Sequence, residues 1–146
     1  MTVLGDVLSQ TQEALSAAGI PDARLEAEAF LTNLLAIPRH RLYAYPEEDV
    51  PDPKKELLAQ LVERRLTREP LAYILGHKEF YGIDLIVDRG VLIPRPESEF
   101  LVEQALFLSM THEEEVDWVI AEPGTGSGAI SISLAIHLPM ARIYAT

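Results

Sequence analysis

The segment from Trp118 to Thr146 restricts what this chain can fold into more than any other. Trp118-Val119-Ile120-Ala121 is a short apolar run between acidic residues (Glu113, Glu114, Glu115, Asp117) and Pro123-Gly124. A run of that length and setting reads as a buried parallel strand. Glycines at alternate positions follow, in Gly124-Thr125-Gly126-Ser127-Gly128. Glycine accepts positive φ and carries no side chain, so the backbone can turn sharply and bring its N–H groups close to a ligand. Ala129 to Leu138 then reads as a helix, Pro139 ends it, and residues 141–146 begin a second strand. Strand, glycine turn, helix and strand open a doubly wound sheet of the Rossmann type, so the chain is α/β overall.

The turn predicts a ligand, and its spacing limits which one. A Walker phosphate loop needs a lysine and a Ser/Thr after its last glycine, where Ala129 and Ile130 stand. The dinucleotide fingerprint is formally met by Gly124, Gly126 and Ala129, which leaves a nicotinamide-dependent oxidoreductase open. The further glycine at 128 and the acidic Glu122 just before the turn fit better a loop that cradles S-adenosylmethionine. That ligand has no phosphate; it presents an ammonium, a carboxylate and a sulfonium.

The first half has the other periodicity. Leu4, Leu8, Thr11 and Leu15 recur at helical spacing until Gly19 and Pro21 close the segment. Residues 22–36 form a second helix with Ala23, Ala27, Phe30, Leu31, Leu34 and Leu35 on one side and Glu26, Glu28 and Asn33 on the other. A short helix holds Leu42 and Tyr43. A longer one over 53–68 directs Leu57, Leu58, Leu61, Val62 and Leu66 inward. Residues 1–75 are thus an all-helical bundle. After Pro70 the period approaches two, and residues 77–88 alternate around Gly82 as a β-hairpin linker within 76–97. Pro94 and Pro96 stiffen a connector on both sides of Arg95. Residues 97–108 are helical with Leu101, Ala105 and Leu108 on one face, and 98–146 form the third region.

Composition removes several classes of function. There is no cysteine, so thiolate metal sites, cysteine nucleophiles and disulfides are excluded. His40, His77, His112 and His137 show no i, i+4 pairing, and no metal site is expected. The net charge of −11 argues against binding a nucleic-acid backbone directly. Residues 1–75 carry 8 basic against 12 acidic side chains, and residues 76–146 carry 4 against 11. The basic residues of the first part read as a solvated face interleaved with Glu56, Glu63 and Glu69. No apolar stretch approaches the roughly 20 residues a bilayer requires, so the expectation is a cytoplasmic protein with no membrane partner.

Several segments, in order, resemble the peptide chain release factor N5-glutamine methyltransferases, the HemK/PrmC family. They are Ala27-Glu28-Ala29-Phe30-Leu31, then Glu69-Pro70-Leu71-Ala72-Tyr73-Ile74-Leu75-Gly76 with Phe80 and Gly82, then Val91-Leu92-Ile93-Pro94-Arg95-Pro96-Glu97-Ser98-Glu99 leading into Leu101-Val102-Glu103, and finally Glu122 to Ile130. The proline-arginine-proline segment combined with the glycine turn is more specific than either alone. The resemblance implies a helical domain that recognises the release factor, a hairpin linker, and a methyltransferase domain that uses S-adenosylmethionine. It implies methylation of the side-chain amide of the glutamine in a Gly-Gly-Gln motif, a step important to translation termination. An amide nitrogen is a poor nucleophile, so positioning and desolvation carry such a reaction. Carried onto this sequence, the cofactor-binding residues are Glu122, Gly124, Thr125, Gly126, Ser127 and Gly128.

The sequence departs from the family in three respects. No two prolines are adjacent, so the Asn-Pro-Pro-Tyr motif that orients the glutamine is absent, and no catalytic residue can be assigned. No acidic residue follows the second strand to hold the cofactor ribose. Glu122 and Pro123 stand where the family usually has aspartate before the turn. Members are about twice this long, so the chain reads as a fragment that stops shortly after the methyltransferase domain begins. Two strands and one helix cannot cover both faces of a parallel sheet. The expectation is therefore weak cofactor binding or none, and no turnover by these residues alone. A protein-binding helical module is the alternative description.

Overall fold

A computed structural model describes residues 2–111 and 117–146, in two compact units, Met1–Leu75 and Gly76–Thr146. The first unit is helical throughout. Its helices are α1 (Leu4–Ala17), α2 (Ala23–Leu35), α3 (Arg41–Ala44), α4 (Asp52–Leu66) and α5 (Leu71–Leu75). Leu4, Val7, Leu8 and Leu15 of α1 meet Ala27, Phe30, Leu31 and Leu34 of α2 in one buried cluster, joined by Leu42, Leu58, Val62 and Ile74. Thr11 lies in the same stripe and satisfies its buried hydroxyl by donating to the Val7 carbonyl at 2.8 Å. After α1, Gly19 takes φ +69°. At the end of α2 the left-handed residue is Ala36, φ +53°, two residues before Pro38.

The first unit departs from its sequence pattern in three places. On α4, Leu58 and Val62 are buried, but Leu57 and Leu66, expected inward, are 42% and 40% exposed. Each residue advances ~100° around a helix, so these two flank the stripe rather than occupy it. After Pro70 the chain makes the one-turn helix α5 before any strand begins, with Tyr73 N–H donating to the Pro70 carbonyl at 3.0 Å. Glu28, expected on the polar side of α2, is only 3% exposed.

The second unit begins with a hairpin, β1 (His77–Phe80) and β2 (Ile83–Ile86), antiparallel with Phe80 opposite Ile83. Its two-residue turn has positive φ at both Tyr81 (+52°) and Gly82 (+72°), the geometry that matches strand twist. A 3₁₀ turn (Pro96–Ser98) leads into α6 (Glu99–Thr111), then β3 (Val119–Glu122), α7 (Ala129–His137) and β4 (Arg142–Ala145). β3 and β4 pair in parallel, with Ile120 opposite Ile143. Phe80 and Leu85 of the hairpin share a buried cluster with Val102, Ala129 and Leu134.

Two expectations for this unit are corrected. On α6 the buried position is Val102, with Ala105 and Leu106 partly buried beside it, while Leu101 and Leu108 are 57% and 55% exposed. Phe100, Leu101, Val102, Ala105, Leu106, Phe107 and Leu108 make this helix apolar nearly all round, so periodicity could not choose the face. β3 is not buried on both sides either. Ile120 and Ile143 pack on the cluster, whereas Val119 and Tyr144 are exposed, and among the described residues no element covers that face. Alternation along a strand separates the two faces. The acidic run Glu113-Glu114-Glu115 and His112 lie outside the described residues.

Candidate functional site

The glycine turn is built from the backbone outward. Gly124, Gly126 and Gly128 all have positive φ, at +73°, +55° and +78°. A Cβ at Gly124 or Gly126 would meet nothing within 4 Å, so at these two positions the chain faces open space. A Cβ at Gly128 would sit 3.1 Å from Ile132 Cδ1, so there glycine also serves helix packing. The Thr146 carbonyl accepts from the N–H groups of Gly124 (2.7 Å) and Thr125 (2.9 Å), and Gly128 N–H donates to the Thr125 carbonyl (2.9 Å). Among the described residues, the N–H groups of Gly126, Ser127, Ala129 and Ile130 have no protein acceptor. Unsatisfied donors at a helix N-terminus can hold an anionic group.

Glu122 ends β3 at the base of the turn. Its Oε2 accepts from the Thr125 hydroxyl at 3.1 Å, the Ser131 N–H at 3.1 Å and the Ser131 hydroxyl. One carboxylate oxygen thus ties the strand end, the turn and the first turn of α7 together. Ser131 is itself buried. The sequence reading missed it, although a serine in the otherwise apolar Ala129-Ile130-Ser131-Ile132 start of a helix was a usable signal.

The second wall of the site comes from the proline-arginine-proline loop, which the spacing alone read as a connector. Ile93, Pro94, Arg95 and Ser98 line one cavity of about 170 Å³ together with Glu122 and residues 124–127. The loop is anchored at its far side, where Tyr81 N–H in the hairpin turn donates to Glu99 Oε1 at 2.9 Å. Ser98 N–H donates to the Arg95 carbonyl at 3.0 Å, which fixes the 3₁₀ turn. Pockets for whole drug-sized ligands run to roughly 300–1,000 Å³. This one has room for an amino-acid-sized part of a ligand, with Arg95 exposed at its rim.

The donor set offers four amides to a carboxylate, and carboxylate and hydroxyl oxygens to an ammonium. Glu122, Gly124, Thr125, Gly126 and Ser127 all border the cavity; Gly128 does not, and starts the helix. Among the described residues no group of three or more His, Asp or Glu side chains is placed to hold a metal.

In the first unit the notable polar cluster surrounds Glu28. Its carboxylate accepts from Arg24 Nε at 3.1 Å, from Arg39 Nε and from the Tyr43 hydroxyl. Burial raises the pKa of this carboxyl, but the hydrogen bonds from Tyr43, Arg39 and Arg24 outweigh it and hold the group below the ordinary carboxylate range. Other cations of this unit are engaged internally as well. Arg65 pairs with Glu26 at 2.6 Å, Arg64 with Glu69 at 2.7 Å, Arg41 with Glu48 at 2.8 Å and Lys55 with Asp52 at 2.6 Å. Arg68 donates to the Ala18 carbonyl at 2.7 Å. The Arg65 guanidinium is held above its usual value chiefly by its hydrogen bond to Glu26.

Comparison with known proteins places these features. Residues 6–76 match the PrmC N-terminal domain. Proteins named release factor glutamine methyltransferase align beyond that domain: one from Moorella thermoacetica is 40% identical over 98% of this chain and 50% of its own length. One from Koribacter versatilis is 41% identical over 90% of this chain and 46% of its own length. One from Coxiella burnetii is 45% identical over 84% and 43% respectively. The chain spans about half the length of the curated relatives it matches. The helical unit is thus similar to the PrmC N-terminal domain, and the chain as a whole is similar to about half the length of proteins named release factor glutamine methyltransferase.

Proposed function

We propose that the protein takes part in S-adenosylmethionine-dependent N5-methylation of the glutamine in the Gly-Gly-Gln motif of peptide chain release factors. The relatives' shared name supplies the reaction class, and the cluster of unpaired amides at Gly126, Ser127, Ala129 and Ile130 carries the reading for this chain. When bound, S-adenosylmethionine supplies a methyl group on a sulfonium. The chain's own residues bind and orient. The amides take the carboxylate, Glu122 and Ser127 offer oxygens to the ammonium, and the loop over 93–98 closes one side against water. The helical unit is the release-factor-recognition part of this proposal, the region 76–97 connects it, and 98–146 contributes to the methyltransferase part. The nicotinamide alternative loses its support, because the relatives are named methyltransferases and Glu122 already occupies the Ser131 amide.

No adjacent prolines occur in these 146 residues, so the family's amide-orienting motif is not among them. Binding of the donor is therefore the step to test. In a calorimetric titration, S-adenosylmethionine should bind a version of the chain extended to its relatives' full length, without displacement by NADH, and should bind these 146 residues weakly or not at all. Displacement by NADH, or no heat from the extended protein, would count against the site assignment. Methyl transfer to a purified release factor by this chain alone is not expected.

A further inference from the structure

In a glycine turn that holds a diphosphate, the ligand's own negative charge sits at the helix N-terminus. Here a carboxylate of the chain is fixed there. Glu122 Oε2 is bonded to the N–H of Ser131, the third residue of α7, and to the hydroxyls of Ser131 and Thr125. A helix N-terminus is equivalent to about +0.5 elementary charge, so a fixed unit negative charge more than cancels it. Glu122 also borders the cavity that the turn lines. A zwitterionic amino-acid group tolerates this field because its ammonium offsets its carboxylate. A phosphate or diphosphate group does not.

We infer that Glu122, held in place by Ser131 and Thr125, is a specificity-determining residue that excludes phosphate-bearing ligands from the glycine turn. The inference rests on the reading of the turn as the methyl-donor site. Charge and shape separate cleanly in two variants. Glu122→Gln keeps the size and an acceptor oxygen for Ser131 but removes the charge. Ser131→Ala keeps the charge and removes the hydroxyl that holds it. Glu103→Gln, at an exposed position on α6, changes the net charge equally at a distance from the turn.

The test is a titration of the 146-residue chain and these variants with inorganic pyrophosphate, and separately with S-adenosylmethionine, followed through the amide resonances of Gly126 and Ser127. Glu122→Gln should bind pyrophosphate at least about tenfold more tightly than the parent chain, equivalent to ~1.4 kcal/mol. Glu103→Gln should show no such gain, and Ser131→Ala, which loosens the carboxylate without removing its charge, a smaller one. Glu122→Ser carries the same expectation as Glu122→Gln if the glutamine variant fails to fold. No gain in either uncharged variant overturns the inference, as does an equal gain in Glu103→Gln or Ser131→Ala. If pyrophosphate affinity rises as expected while a version of the chain extended to its relatives' full length fails to bind S-adenosylmethionine, the exclusion stands and the donor assignment falls.

Discussion

Replacing Glu28 tests a carboxylate that the first unit buries. The side chain is 4% exposed and accepts three hydrogen bonds, whereas the side chains of Arg24 and Arg39 are 63% and 61% exposed. Removing one partner of a fully buried ion pair costs about 3–5 kcal/mol because the other charge is left buried. Here both arginines can return to water, so that penalty does not apply in full. What is lost is three charge-assisted bonds, each partly offset by the cost of burying the carboxylate. Glu28→Ala should therefore destabilise the first unit by about 2 kcal/mol, and Glu28→Gln, which keeps an acceptor oxygen, by about 1 kcal/mol. The pH dependence has a definite sign. The folded pKa lies below the ordinary 4.5, so the contribution is complete above that value and is lost as pH falls through the folded pKa. Urea unfolding followed by circular dichroism at 222 nm reads chiefly this unit, since it holds α1 to α5; Trp118 fluorescence reports the second unit separately. A glutamine variant as stable as the parent at pH 7 would refute the reasoning. So would a difference between the two that is as large at pH 3 as at pH 7.

Other substitutions test the packing and the turn. Val102→Ala should cost about 2 kcal/mol in the second unit, whereas Leu101→Ala should stay within about 0.5 kcal/mol, and thermal melts of the pair decide which face of α6 is inward. Gly126→Ala should cost about 1 kcal/mol from its positive φ alone, and Gly128→Ala about 2 kcal/mol, because its Cβ also presses on Ile132. Equal losses on denaturation would contradict the contact at Gly128. Ala36→Gly should stabilise the first unit by about 0.5 kcal/mol, the relief of left-handed strain exceeding the added chain entropy, and a lowered urea midpoint would refute this.

Local rules explain most of what was readable before the structure. Alternating small and large steps of apolar residues marked α1 and α2 because a helix brings every third or fourth residue to one face. Glycines at 124, 126 and 128 announced the turn because each adopts a backbone conformation that other residues resist. Gly82 marked the hairpin for the same reason. The family resemblance followed from these segments in order, and the comparisons support it. The inward face of α6 was not readable, because an almost uniformly apolar helix carries no directional signal. Glu28 was misplaced because a charged residue at a boundary position is buried only when partners 11 and 15 residues away in sequence, Arg39 and Tyr43, come back to it.

The sequence by itself determined the helical unit, the βαβ opening, the glycine turn and the family resemblance. Each depends on contacts between residues close along the chain, or on a motif with a fixed spacing. Tertiary structure alone decided that the loop at Pro94, Arg95 and Ser98 and the turn some thirty residues later enclose one cavity. It also decided that Glu122 spends one oxygen on Ser131 and Thr125. Neither juxtaposition has a periodicity or a spacing to betray it, because each arises only when separate elements pack on the cluster around Phe80, Val102 and Leu134.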